Sequence, residues 1–93
     1  MIMEIKKRAL HRSRILQGQL KGIENMIEQE AYCMDILTQT LSIQKSLGSL
    51  NKLILENHLR THIKADLTSG KKQRQDAAIN ELLDLYELSL RGK

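Results

Sequence analysis

Residues 32–65 read YCMDILTQTLSIQKSLGSLNKLILENHLRTHIKA. The stretch holds no Pro, and its only Gly is Gly48. Leu37, Leu41, Ile43, Leu47, Leu50 and Ile54 recur at helical spacing, which predicts one helix over about residues 32–65, roughly 45–50 Å long. A compact domain of this size has a radius of gyration of only about 12–13 Å. One short additional helix cannot cover the apolar stripe of so long an element. The stretch must therefore pack against a copy of itself or a partner, and an obligate all-α oligomer is expected. The alternative is a monomeric three-helix bundle in which this helix breaks at Gly48.

The flanks read as two more helices. The first covers about Glu4 to Glu28, with a stripe of Leu16, Leu20, Ile23 and Ile27 that Ile5 and Ala9 extend upstream. It breaks at Gln29-Glu30-Ala31. After a loop from Asp66 to Gln73, with Ser69-Gly70 as breaker, the third runs from about Arg74 to Leu90 on Ile79, Leu82, Leu83, Tyr86 and Leu90, with Gly92 as a stop. The 93 residues form one all-helical domain, 1–93. Aromatic residues are 2% and Pro is absent, which disfavours β-sandwiches and removes any aromatic platform for unpaired bases. A single Cys excludes an intramolecular disulfide framework and a Cys-only zinc finger. No apolar run reaches a membrane span and no signal peptide is visible, so a reducing cytoplasm is expected. Residues 1–74 carry thirteen Lys and Arg against seven Asp and Glu, and residues 75–93 carry two against four. A basic body with an acidic tail helix fits a polyanionic partner, nucleic acid before membrane, or else a solvated charged surface.

Three residues have metal-ligand chemistry. His58 and His62 are four apart, so one helix face carries both imidazoles, a common half of a metal site and equally a common structural pair. Cys33 is the only soft ligand and otherwise a small hydrophobe. Twenty-five residues separate it from His58, roughly 37 Å along a helix, so one chain cannot bring both to one ion. Two chains can, if their long helices pair antiparallel about a two-fold axis near residues 46–48, where Gly48 permits close approach. Each Cys33 then meets His58 and His62 of its neighbour. One thiolate and two imidazoles suit Cu(I), whereas Zn(II) wants a fourth ligand. Glu81, on the third helix, is placed to orient one His through its second ring nitrogen. A basic constellation accompanies this set. Lys7, His11, Arg14 and Lys21 line one face of the first helix, Arg8 and Arg12 flank them, and Lys45 and Lys52 repeat at seven on the second. No clear helix-turn-helix or zinc finger is present.

Four segments together carry a resemblance: RSRILQGQLKGIENMIE at 12–28, AYCMDIL at 31–37, NHL at 57–59 and AAINELLD at 77–84. Over about Leu10 to Tyr86 the chain resembles the CsoR-type copper-sensing repressors, whose relatives sense nickel or cobalt, formaldehyde or persulfide. The resemblance implies an all-helical homodimer, usually doubled to a homotetramer. It implies Cu(I) held by a Cys of one protomer and two residues of the other. Cys33 and His58 match the first two ligand positions, and His62 stands where the third is commonly Cys. Tyr32 and Glu81 match the pair that links metal binding to DNA release, and Arg12 matches a position tied to DNA binding. Ser49 replaces a second Arg of many copper sensors, and the loop at Thr68–Gln75 is a few residues longer.

The branches separate by what is missing. Nickel and cobalt sensors add a His near the N-terminus, and none precedes His11 here. Formaldehyde sensors need Pro at residue two, and persulfide sensors need two Cys. The expected function is therefore a Cu(I)-responsive repressor, not an enzyme, that binds double-stranded operator DNA in the apo form. Lys7, Arg8, Arg12, Arg14, Lys21, Lys45 and Lys52 are its candidate DNA contacts. A nickel/cobalt or other small-effector sensor on the same scaffold is the alternative. A Cys33/His58 hydrolase lacks an oxyanion hole, and a helical adaptor is the plain structural reading.

Overall fold

The computed structural model describes residues 1–91 and is helical nearly throughout. The chain divides into two compact units, Met1–Asn57 and His58–Lys93. Gly92, expected as a helix stop, lies outside the described residues.

In the first unit α1 (Met3–Glu28) is followed by α2 (Cys33–His58). The break at residues 29–31 is a reversal with a definite hydrogen-bond pattern. The N–H of Glu30 donates to the Ile27 carbonyl at 3.0 Å, and that of Ala31 to the Met26 carbonyl at 2.9 Å. These two bonds close a helix through a left-handed residue. That residue is Glu30, with φ +52, a conformation that costs a non-glycine residue on the order of 1 kcal/mol. Tyr32 then opens α2, its carbonyl accepting from the N–H of Asp35 at 2.9 Å and of Ile36 at 3.2 Å.

The reversal returns the end of α2 to the start of α1. Ile5, Ala9 and Leu53 form the buried cluster, with Ile2 and Leu50 packed against it. Ile2 precedes α1 in extended conformation, and no side chain caps the helix there. Its own N–H instead donates to Oδ1 of Asn57 at 2.8 Å, across 55 residues of chain.

In the second unit the backbone stays helical through a π-helical turn (Leu59–Ile63) and α3 (Lys64–Leu67), then turns into α4 (Lys72–Arg91). The turn is closed by its own side chains. Ser69 Oγ donates to the Asp66 carbonyl at 2.7 Å and accepts from the Lys71 N–H at 3.2 Å, while Gly70 takes φ +75. Arg74 grips Oδ1 of Asp66 through Nε at 3.0 Å and Nη2 at 2.7 Å, and Gln75 donates to the Leu67 carbonyl at 3.2 Å. Ile63 and Ala78 are the buried residues of this unit among those described.

The long central helix is present as expected and carries a π-helical turn at residues 59–63. Loop bounds and burial differ in detail from the expectations. The predicted loop from Asp66 to Gln73 contracts to residues 68–71, because the Asp66–Arg74 pair lets α3 end later and α4 begin earlier. In α1 the stripe buries Leu16 but leaves Leu20 and Ile27 exposed, and Ile5 and Ala9 carry the core. In α2 the buried residues are Ile43, Leu53 and Asn57, while Leu37, Leu41, Leu47 and Ile54 are exposed. The apolar stripe is wider than what one chain covers.

Leu53 anchors the first unit and is only 6% exposed. Leu53→Ala is expected to lower stability by about 2–5 kcal/mol, read as a shift of the urea or thermal midpoint at fixed protomer concentration. A change within about 0.5 kcal/mol would mean that the cluster does not hold the hairpin.

Candidate functional site

The second unit brings three of the expected site residues together. The π-helical turn keeps His58 and His62 adjacent, with ring centroids 5.3 Å apart and planes tilted by 40°. His58 is half-buried and His62 exposed. From α4, Oε1 of Glu81 approaches Nε2 of His58 to 2.6 Å. The distance is that of an ion pair, without the angle of a linear hydrogen bond. The carboxylate thus occupies the Nε2 side of the ring, which turns Nδ1 away from Glu81. Holding one imidazole nitrogen with a carboxylate while the other faces a ligand is how proteins orient metal-binding histidines.

Two further site residues belong to the first unit. Cys33 is the first residue of α2, and its thiol is free and exposed. Tyr32 precedes it and is 71% exposed. Among the described residues, no three His, Cys, Asp or Glu side chains of one chain are grouped to hold a metal ion. The donors themselves are suited to a soft or borderline cation: one thiol, and two imidazoles held close together.

The basic residues sort into two sets. Lys7, Arg8, Arg12 and Arg14 share one broad side of α1 with Glu4, His11 and Ile15. Four cations on one side of a helix can meet phosphate oxygens together. Lys21, Lys45 and Lys52 are exposed elsewhere, and Lys21 lies 3.6 Å from Glu24 of its own helix. No helix of the described residues is long and apolar enough to cross a membrane.

Sequence reasoning missed Asn57, the one buried polar side chain among the described residues. The available signal was its register. Asn57 falls four residues after Leu53 and seven after Leu50, a core position filled by a carboxamide. A polar group there needs a partner, and Asn57 has one in the Ile2 N–H.

Comparison with known proteins adds an independent finding. The family described as metal-sensitive transcriptional repressor matches residues 5–87. The chain is 42% identical over 84 residues to the copper-sensing transcriptional repressor CsoR of Mycobacterium ulcerans, covering 90% of this chain and 69% of that protein. It is 33% identical over 82 residues to CsoR of Bacillus subtilis, covering 88% and 78%. Among solved structures, it is similar to the copper-sensing repressor CsoR with Cu(I) from Geobacillus thermodenitrificans. The TM-score there is 0.85 at 26% identity, covering 97% of this chain and 91% of that one. A variant of the formaldehyde-responsive regulator FrmR from Salmonella enterica serovar Typhimurium is also similar, with TM-score 0.74 at 28% identity over 92% and 94%. Together these matches assign the chain to the metal-sensitive transcriptional repressor family.

Proposed function

We propose that this chain is a copper(I)-responsive transcriptional repressor whose metal site is shared between two protomers. Cys33 of one protomer and His58 and His62 of the other hold the ion. Residues 1–93 act as one sensing and DNA-binding domain in an antiparallel homodimer, doubled to a homotetramer, in the cytoplasm. The observation that carries this reading is the His58–His62 pair with Glu81 set against Nε2 of His58. The copper-sensing relatives support the choice of effector.

Cu(I), when bound, supplies a soft cation that joins a thiolate to imidazoles. The chain's own residues do the rest. Glu81 fixes the His58 ring so that Nδ1 is the ligating nitrogen. Tyr32 adjoins the cysteine ligand, and with Glu81 it ties the site to α4. Lys7, Arg8, Arg12 and Arg14 hold operator phosphates, with Lys21, Lys45 and Lys52 extending the basic surface. Such contacts position the protein and leave sequence to be read by groove shape. Linkage makes the effect reciprocal: operator DNA weakens copper binding by the same factor that copper weakens DNA binding.

A nickel or cobalt sensor is the second reading, favoured by imidazole rather than thiolate at residue 62. Parallel DNA-release titrations separate the two. If Ni(II) releases operator DNA at a lower free concentration than Cu(I), the copper reading fails.

In anaerobic titration the protein is expected to bind one Cu(I) per protomer and lose operator affinity by a factor in the range of about 5–150. Cys33→Ala should abolish both effects, and a Cys33→Ala protein that copper still releases would contradict the ligand assignment. Arg12→Ala should weaken operator binding across sequences and reduce the slope of log K against log salt by about 1. An unchanged slope would remove Arg12 from the phosphate contacts. In ¹⁵N NMR of the apo protein, His58 should carry its proton on Nε2, and Glu81→Ala should erase that preference. Protonation at Nδ1 alone in the wild type would contradict the proposed orientation.

A further inference from the structure

We infer that Asn57 is the positioning residue through which the effector site acts on the DNA-binding start of α1. This rests on the metal-site reading above, and it adds a route that neither the ligands nor the Tyr32–Glu81 pair supplies. Asn57 is 8% exposed and immediately precedes His58. Its Oδ1 accepts the N–H of Ile2, the residue that opens α1. No side chain of α1 itself caps that end, so a residue 55 positions away holds the helix start in place. Lys6, Lys7 and Arg8 follow within the first two turns.

Asn57 and His58 share one stretch of helical backbone. Successive residues on a helix point about 100° apart, so His58 and Asn57 face different neighbours while riding on the same peptide unit. His58 has helical φ −62 and ψ −43. A ligand that pulls on the imidazole therefore loads the peptide that carries the carboxamide. The bond to Ile2 joins two mutually dependent groups. Asn57 is buried and would lose a partner, and Ile2 would release an unfixed helix end. Ile2 also packs against Ile5, Ala9 and Leu53, so a shift at Asn57 is felt as a shift of the α1 N-terminus. Lys7, Arg8, Arg12 and Arg14 stand on that same helix, and a small rotation of its first turns changes which cations meet phosphates together. Ligation at His58 and phosphate binding at α1 thus compete for one conformation of the Asn57–Ile2 contact.

The test uses full-length protein and its operator. Asn57→Leu keeps the approximate volume and deletes the acceptor, while Asn57→Asp keeps an acceptor oxygen. Three quantities are read for each: Cu(I) affinity, apo operator affinity, and the ratio of operator affinities without and with Cu(I). Hydrogen exchange of the amides of residues 2–9 is followed with and without copper. Asn57→Leu should still bind one Cu(I) per protomer, bind the operator without copper about as weakly as the copper-loaded wild type, and so lose most of the copper-induced ratio. Asn57→Asp should restore most of that ratio. In the apo protein Asn57→Leu should already exchange faster over residues 2–9, and the copper-dependent change there should vanish.

Full copper-induced release by Asn57→Leu would overturn the inference. So would a wild-type protein whose residues 2–9 exchange identically with and without copper, and that measurement decides the matter even if Asn57→Leu does not fold. A wild-type protein that binds Cu(I) without releasing DNA overturns the copper reading and this inference with it. Failure of the Asn57 variants alone leaves the copper reading standing.

Discussion

Leu37, Leu41, Leu47 and Ile54 lie along α2, and all are exposed in the single chain. Ile79, Leu83, Tyr86 and Leu90 repeat the pattern on α4. Among the described residues, seven hydrophobic side chains are buried while twenty large ones are exposed. So many large apolar side chains left exposed on a small chain favour association. In the proposed dimer a second protomer covers those of α2, and the same protomer supplies the imidazoles that Cys33 cannot reach within its own chain. Under that proposal assembly and sensing are one requirement.

The helices were legible in the sequence because their signals are local. The Leu and Ile spacing of α2, the absence of Pro and the breaker at Ser69-Gly70 each act within a few residues. The break near Glu30 was also legible, though not its mechanism, since a glutamate in the left-handed region is not the residue that position favours. The π-helical turn was not legible. It adds one residue to a turn without any Gly or Pro to announce it. The contraction of the loop before α4 depends on Asp66 meeting Arg74 eight residues on, a tertiary contact that propensities do not contain.

The candidate site was legible in its donor atoms and in Glu81, and not in Asn57. Cys33, His58, His62 and Glu81 stand out by chemistry and spacing, and the structure sets Glu81 against His58. Asn57 did not stand out, because an asparagine in a helix usually faces water. The hairpin that brings Ile2 to the end of α2 gives its carboxamide the Ile2 N–H as a partner. The proposed ligand His58 and the carboxamide that holds the Ile2 N–H belong to consecutive residues. Surface basic residues were readable as a set, and the structure leaves Lys7, Arg8, Arg12, Arg14, Lys21, Lys45 and Lys52 all exposed.

The central claim is that each metal site is built from two chains, and subunit mixing tests it most directly. Cys33→Ala protein and His58→Ala/His62→Ala protein are each unable to form a complete ligand set. When the two are unfolded together in equal amounts and refolded, half of the dimers are mixed, and each mixed dimer carries one intact site. Tight Cu(I) binding should then return to about a quarter of the wild-type capacity, while each variant refolded alone binds none. Absence of any recovery in the mixture, or tight binding by either variant alone, would contradict a site shared across the dimer.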